Sequence, residues 1–123
     1  MHLASFPLPS SDGEFGTSAT GEMPPSGLFL ALTEYLVRPG ELEEGIFAGR
    51  PPRALDPRLF SGQTLLRPVA GQRGVQRFFS TAGRAFCLYV VVGRNGEQRL
   101  AAANDVLASL QVAARPAATT ART

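Results

Sequence analysis

Lysine and tryptophan are absent from this chain of 123 residues, and histidine, cysteine and isoleucine each occur once. Each shortage excludes something. With Cys87 as the lone cysteine, no intrachain disulfide can form, which suits a reducing compartment without requiring one. One His and one Cys cannot build a Cys/His metal cage. His2 stands beside the first residue, poorly placed for a Ser–His or Cys–His pair unless that end is pinned into a pocket. Glu41, Glu43 and Glu44 are the densest acidic group, but they lack the ligand spacing of a cation-binding loop and read as a solvated turn. No cofactor and no metal are expected.

Long apolar runs are missing too. None approaches the roughly 18 to 20 residues of a membrane helix, so no membrane span is expected. The opening "MHLASFPLPSSDGEFG" has neither a basic n-region nor a long apolar h-region. No secretory signal is visible, and the cytoplasm is the expected location, although a misassigned start at Met1 would hide an upstream signal. All 12 basic residues are Arg, and Asn occurs twice. Lys, Ile and Asn have AT-rich codons, whereas the abundant Ala, Gly, Pro and Arg have GC-rich ones. A high-GC bacterial genome accounts for the bias.

About 44% of the chain is apolar, enough for a core, and the length suits one domain. The net charge is only +2, a weak reason to expect nucleic acid. Its distribution is uneven. Residues 1–61 hold four Arg and eight acids, and residues 62–123 hold eight Arg and two acids. Two halves that complement each other in one fold explain this better than a basic binding face.

Residues 2–9 read as a short strand closed by Pro7 and Pro9, and residues 10–27 as a Gly/Ser/Pro-rich connection with one loose helical turn. "LFLALTEYLV" (28–37) reads as a strand between hard brackets; a short helix is the alternative, since Leu28, Leu32 and Tyr35 share a helical face. Asp56-Pro57 suits the start of one helical turn. Residues 63–69 suggest a short strand whose end Pro68 confines to an edge or breaks. Residues 75–93 form the clearest unit, a β-hairpin turning at Thr81-Ala82-Gly83-Arg84, with a type I turn and G1 bulge expected.

On the hairpin's first strand Val75 and Phe79 oppose Phe78. On the second, Phe86, Leu88, Val90 and Val92 oppose Ala85, Cys87, Tyr89 and Val91. Apolar side chains on both sides are the pattern of interior strands between two layers. Cys87 within that run reads as a small buried hydrophobe, not a reactive thiol. A helix over residues 94–112 follows, with Asn95 as N-cap and Gln98 in the capping-box position. Leu100, Ala103, Val106, Leu107 and Leu110 form its apolar arc, with Arg99 snorkelling beside it and Asn104 turned away. Residues 113–123 form a low-complexity tail expected to be disordered.

"VVGRNGEQ" (91–98) places a glycine turn before a helix, where free N–H groups can hold an anion. It lacks the third glycine of a dinucleotide fingerprint and the Gly-Lys-Ser/Thr of a P-loop, so a plain strand-to-helix turn is expected. Arg73, Arg77 and Arg84 gather about the hairpin with Phe78 and Phe79 interleaved, and Arg94 follows. Sheets that bind nucleic acid mix Arg with stacking aromatics, but no RNP-type motif is present. These four are the candidate binding residues. No catalytic residue is identified.

The run "GRAFCLYVVVG", followed by a helix ending "VLASLQV", resembles the last strand and helix of small α/β/α-sandwich domains such as PsbP and its bacterial relatives. The resemblance covers about 35 residues and carries no chemical motif. It implies a non-catalytic binding or assembly module and transfers no site residue.

Residues 1–112 are thus expected to form one α+β domain: a mostly antiparallel sheet of four or five strands with the C-terminal helix on one face. The other face needs loops and short helices or a partner chain, because each large apolar side chain left wet forfeits roughly 1.5–3 kcal/mol. The expected function is interaction or assembly, with itself as a homodimer or with another protein. The alternative is anion or nucleic-acid binding through Arg73, Arg77, Arg84 and Arg94.

Overall fold

The computed structural model describes residues 1–9, 15–38 and 45–113. The expectations for the acidic turn at Glu41, Glu43 and Glu44, and for the tail beyond Ala113, lie outside the described residues. Four strands form one antiparallel sheet: β1 (His2–Ala4), β2 (Leu28–Tyr35), β3 (Arg73–Thr81) and β4 (Arg84–Val92), in spatial order β1-β2-β4-β3. Helix α1 (Thr17–Gly21) precedes β2, and α2 (Leu100–Ser109) follows β4. The fold is α+β, and the 28–37 run supplies a strand over Leu28–Tyr35, not a helix.

β4 lies between β2 and β3, and every residue from Ala85 to Val92 is buried. Alternation divides its side chains between two apolar clusters. Phe86, Leu88, Val90 and Val92 join Leu28, Leu30, Val75 and Phe79 beneath Leu100, Ala103 and Leu107 of α2. Leu55 and Phe60 close the same cluster. Tyr89 and Val91 join Phe29 and Ala31 on the opposite face, under Ala19, Met23, Phe6, Phe15 and Leu65. At the hairpin end of that face, Phe47 of the 3-10 turn Gly45–Ala48 meets Tyr35 and Phe78, with ring centroids 5.6 and 5.8 Å away. The second layer therefore comes from the chain itself, as loops and short helical turns.

The structure corrects five details of the sequence reading. First, β3 is an edge strand; apolar residues on both faces report two covering layers, not a neighbour on each side. Its edge is held at its ends, where Ser61 bridges Gly74 and the Ser80 N–H donates to the Gly49 carbonyl (3.2 Å). Second, residues 63–69 form no strand. Gly62–Thr64 is a 3-10 turn capped by Ser61, and the chain then crosses the second face, so Leu65 packs downward while the Leu66 N–H donates to the Tyr89 hydroxyl (2.8 Å).

Third, Thr81 pairs directly with Arg84, and Ala82 and Gly83 have φ of 54° and 73°. A two-residue loop with both φ positive is a type I′ geometry, whose twist matches the flanking strands, so no bulge is needed.

Fourth, Asn95 does not cap the helix. Its N–H donates to the Pro25 carbonyl (2.7 Å), the Gly93 N–H donates to Gly27 (2.9 Å), and the Arg99 Nε donates to Ser26 (2.6 Å). Carbonyls of residues 25–27 thus hold the start of the helical segment, which opens as the 3-10 turn Glu97–Arg99 before α2 begins. Fifth, the buried stripe of α2 is narrower than expected. Leu100, Ala103 and Leu107 are buried, Val106 and Leu110 are half-buried, and Asn104 faces inward enough to accept the Leu55 N–H (2.8 Å). By contrast, the expected turn at Asp56-Pro57 is present: Pro57–Leu59 is a 3-10 turn, and the Asp56 carboxylate accepts the Arg58 N–H (2.9 Å).

Candidate interaction surface

The four candidate arginines do not converge. Arg73 pairs across the sheet with Val92, whereas Arg84 pairs with Thr81 at the other end of β3. Eight residues of strand separate those ends, about 27 Å at the usual rise. Arg73 forms an ion pair with Glu97 (2.9 Å). Arg84 grips Glu34 with a two-pronged contact, Nε to Oε2 at 2.8 Å and Nη2 to Oε1 at 2.6 Å, and donates to the Ala113 carbonyl (3.1 Å). Hydrogen bonding to Glu34 raises the Arg84 pKa further above its ordinary value. This pair joins the acidic first half of the chain to the basic second half. Arg77 is exposed midway along β3, and Arg94 is exposed beyond β4, its guanidinium beside Gly71.

The glycine turn before the helical segment offers little to an anion. The Gly93, Asn95 and Gly96 N–H groups all donate to backbone carbonyls, of Gly27, Pro25 and Gly93 respectively. His2 stacks edge-on against Phe29, with ring centroids 5.2 Å apart. Among the described residues, no group of three or more His, Cys, Asp or Glu stands where it could hold a metal ion, and no helix is long and apolar enough to cross a membrane.

Cys87 and Tyr89 sit on the second face, fully or almost fully buried. Burial pushes both pKa values up; a hydrogen bond with Gln76 partly offsets this for the thiol, and the Leu66 N–H does so for the phenol. Each group holds its proton more tightly folded than unfolded. The stabilisation this represents is therefore complete below the ordinary thiol value of 9.0 and is lost as pH rises beyond it. The melting temperature is expected to be flat from pH 7 to 8.5 and to fall above pH ~9. In Cys87→Ala the fall should begin later, towards the ordinary phenol value of 10.0. The native thiol should also ignore an aromatic disulfide reagent until the protein unfolds. Prompt labelling at neutral pH, or an unchanged alkaline onset in the variant, would contradict the burial described.

A partly covered apolar surface lies elsewhere. Four strands at ~4.8 Å spacing place the outer two about 14 Å apart, and one helix is only about 10 Å wide. α2 covers the middle of its face, and Leu55 and Phe60 cover the β3 flank. The β1 flank is left as a groove of about 660 Å³. Its floor and walls are Leu3, Leu28, Ala102, Ala103 and Val106, and its polar side chains are Ser5, Gln98 and Arg99. Leu3 is 40% exposed and Met1 60%. A smaller cavity of about 360 Å³ lies at the other end of α2, between Pro51, Pro52 and Leu110, with Phe79 and Leu88 below. A third, of about 70 Å³, lies between Met23, Gln72 and Arg94, where the Gln72 Nε2 donates to the Thr20 carbonyl (2.7 Å).

Sequence reasoning missed the β1 flank. Leu3 looks like any strand residue, and its exposure follows from how many strands one helix can cover. Among the described residues that line the groove there is no general base and no nucleophile poised by one, so their chemistry is that of apolar contact with a polar rim. Comparison with family models, with curated proteins and with solved structures returns no match.

Proposed function

We propose that the protein is a small non-catalytic interaction or assembly module, and that its contact surface is the β1 flank of the sheet. One observation carries this reading: an apolar groove of about 660 Å³ opens between the edge strand β1 and α2. A concave, mostly apolar surface with a few polar groups at its rim suits contact with another molecule. The occupant is a protein, because the lining is aliphatic with a sparse polar rim and offers no cluster of charges for an anion. The resemblance to PsbP-like domains points the same way, toward binding without catalysis. The arginine alternative draws less support, since Arg73 and Arg84 are committed to carboxylates at opposite ends of the sheet.

A photo-crosslinking amino acid at Val106, on the groove wall, tests the reading in the native cell. The expected result is a discrete adduct with a protein, either this chain or another. The same group at Arg58, whose side chain is 87% exposed outside the groove, should give none. No adduct from position 106, or the same adducts from both positions, would overturn it.

A further inference from the structure

The groove on the β1 flank is polar at one end and apolar at the other. The Ser5 N–H donates to the Leu28 carbonyl (3.1 Å), and the Leu28 N–H donates to the Ser5 hydroxyl oxygen (2.9 Å). Two residues earlier in β1, Leu3 pairs with Leu30, which lies in the cluster beneath α2, so the Leu3 side chain stands on the helix face. α2 follows the same direction. Arg99 is anchored on the carbonyl of Ser26, just before Leu28 (2.6 Å), whereas Leu107 and Leu110 line the smaller cavity with Leu32, further along β2. Along the groove, then, Ser5, Gln98 and Arg99 come first and Leu3 and Val106 come last. Seven helical steps, about 10 Å, separate Arg99 from Val106.

Arg99 is the one charged side chain among the described residues that line the groove. Among the described residues it has no carboxylate partner, and its sequence neighbour Glu97 is paired with Arg73 (2.9 Å). Its Nε is engaged by the Ser26 carbonyl, which fixes the guanidinium at that end and leaves the Nη groups to meet a carboxylate. Leu3 is 40% exposed and Ala102 is exposed on the facing wall, so an occupant keeps one side in solvent. A small molecule binds by being enclosed; a segment that is apolar on one side and polar on the other suits an open trough.

We propose that the β1 groove binds an acidic amphipathic segment of a partner protein, with an Asp or Glu carboxylate on Arg99 and aliphatic side chains against Leu3, Ala102 and Val106. This rests on the reading of the β1 flank as the contact surface and names the chemistry of its occupant. The groove's length fits about two helical turns, so on a helical occupant the aliphatic residues fall three to seven positions from the acid. The single cation at one end also fixes the direction in which that segment lies.

The chain has no lysine, so Arg99→Lys installs its one side-chain amine at the polar end of the groove and keeps the charge. The test treats a lysate of the native cell with a water-soluble carbodiimide. A carboxylate held against the amine condenses with it to an amide, and the carbodiimide takes up the water as a urea. Arg77→Lys, at an exposed position on β3 outside the groove, is the control. The expected result is coupling of Arg99→Lys to an Asp or Glu of a partner protein about tenfold above that of the control, because a held carboxylate reacts as an intramolecular one. Its melting temperature should match that of the wild type. A second measurement keeps the native Arg99: the adduct from the photo-crosslinker at position 106 should map to a side chain three to seven residues from an Asp or Glu. Equal coupling of the two lysine variants, coupling of Arg99→Lys to a carboxylate of its own chain, or a position-106 adduct on a segment without a nearby acid would each overturn the proposal. If position 106 then still crosslinks to another protein, the contact surface stands and only the acidic occupant falls. If it crosslinks to nothing, both fall.

Discussion

Phe29→Ala is expected to lower the free energy of unfolding by about 3–5 kcal/mol, a large share of the 5–15 kcal/mol of an ordinary domain. Phe29 is fully buried on the second face of β2. Its ring touches His2 edge-on and lies so close beneath Gly16 that a side chain at that glycine would overlap it. Alanine would leave a cavity that the flanking strands cannot close, because Phe29 pairs with Ala4 on one side and Val91 on the other. The loss should spread to α1. That helix has only five residues, begins after Gly16 in a left-handed conformation, and has no side-chain cap. So short a helix does not persist in water by itself; it is held down by Ala19 and Met23 packing in the cluster that contains Phe29.

Urea titration followed by tyrosine emission would measure the cost, since the chain has no Trp. Amide exchange at Thr20, whose N–H donates to Gly16 (2.9 Å), would report the release of α1. Phe47→Ala, at the half-buried end of the same face, should cost less than half as much. If Phe29→Ala lies within 1 kcal/mol of the wild type, about the scale of a surface change, the second layer is not the packed structure described here.

How far such features were legible depends on how local their causes are. The burial of β4 was readable because eight uncharged residues in a row need cover on both faces, whatever supplies it. The start of α2 was not readable in the same way. Asn95 and Gln98 form an acceptable local cap, but carbonyls some seventy residues earlier, at residues 25–27, hold that segment instead. Residues 63–69 have strand composition, yet the edge they would join is taken by Ser61, and the chain crosses the face. The arginines illustrate the same limit. Their clustering along the sequence was real, but an extended hairpin separates neighbours by several ångströms per residue, and Glu34, the partner of Arg84, lies 50 positions away. The β1 flank was hidden for another reason: its exposure belongs to the width of the sheet and the breadth of a single helix, which no residue in it records.

The tether between residues 24–27 and the end of β4 leads to the second large effect, Gly93→Ala. Gly93 is buried where β4 ends, and a Cβ there would overlap the Pro25 carbonyl oxygen and stand 2.8 Å from that of Pro24. Both obstacles are backbone, so no side chain can swing aside to make room. Both oxygens are also in use: Pro24 accepts the Gly27 N–H (2.8 Å) and Pro25 accepts the Asn95 N–H (2.7 Å). Moving the loop would stretch these bonds together with the Gly93-to-Gly27 bond. Overpacking costs about 1–3 kcal/mol, and each weakened hydrogen bond adds about 1 kcal/mol. A loss of about 3 kcal/mol or more is therefore expected. Gly62→Ala is the matched control, because its Cβ would meet the Gln72 carbonyl at an ordinary 3.7 Å; it should stay within about 0.5 kcal/mol of the wild type. The same displacement should reach the groove, since Arg99, one of its polar side chains, is anchored on the Ser26 carbonyl (2.6 Å). Crosslinking from Val106 should then weaken in Gly93→Ala at temperatures where the protein is still folded, and remain intact in Gly62→Ala. Equal stability of the two variants would show that the loop yields freely and that the tether does not set the position of α2.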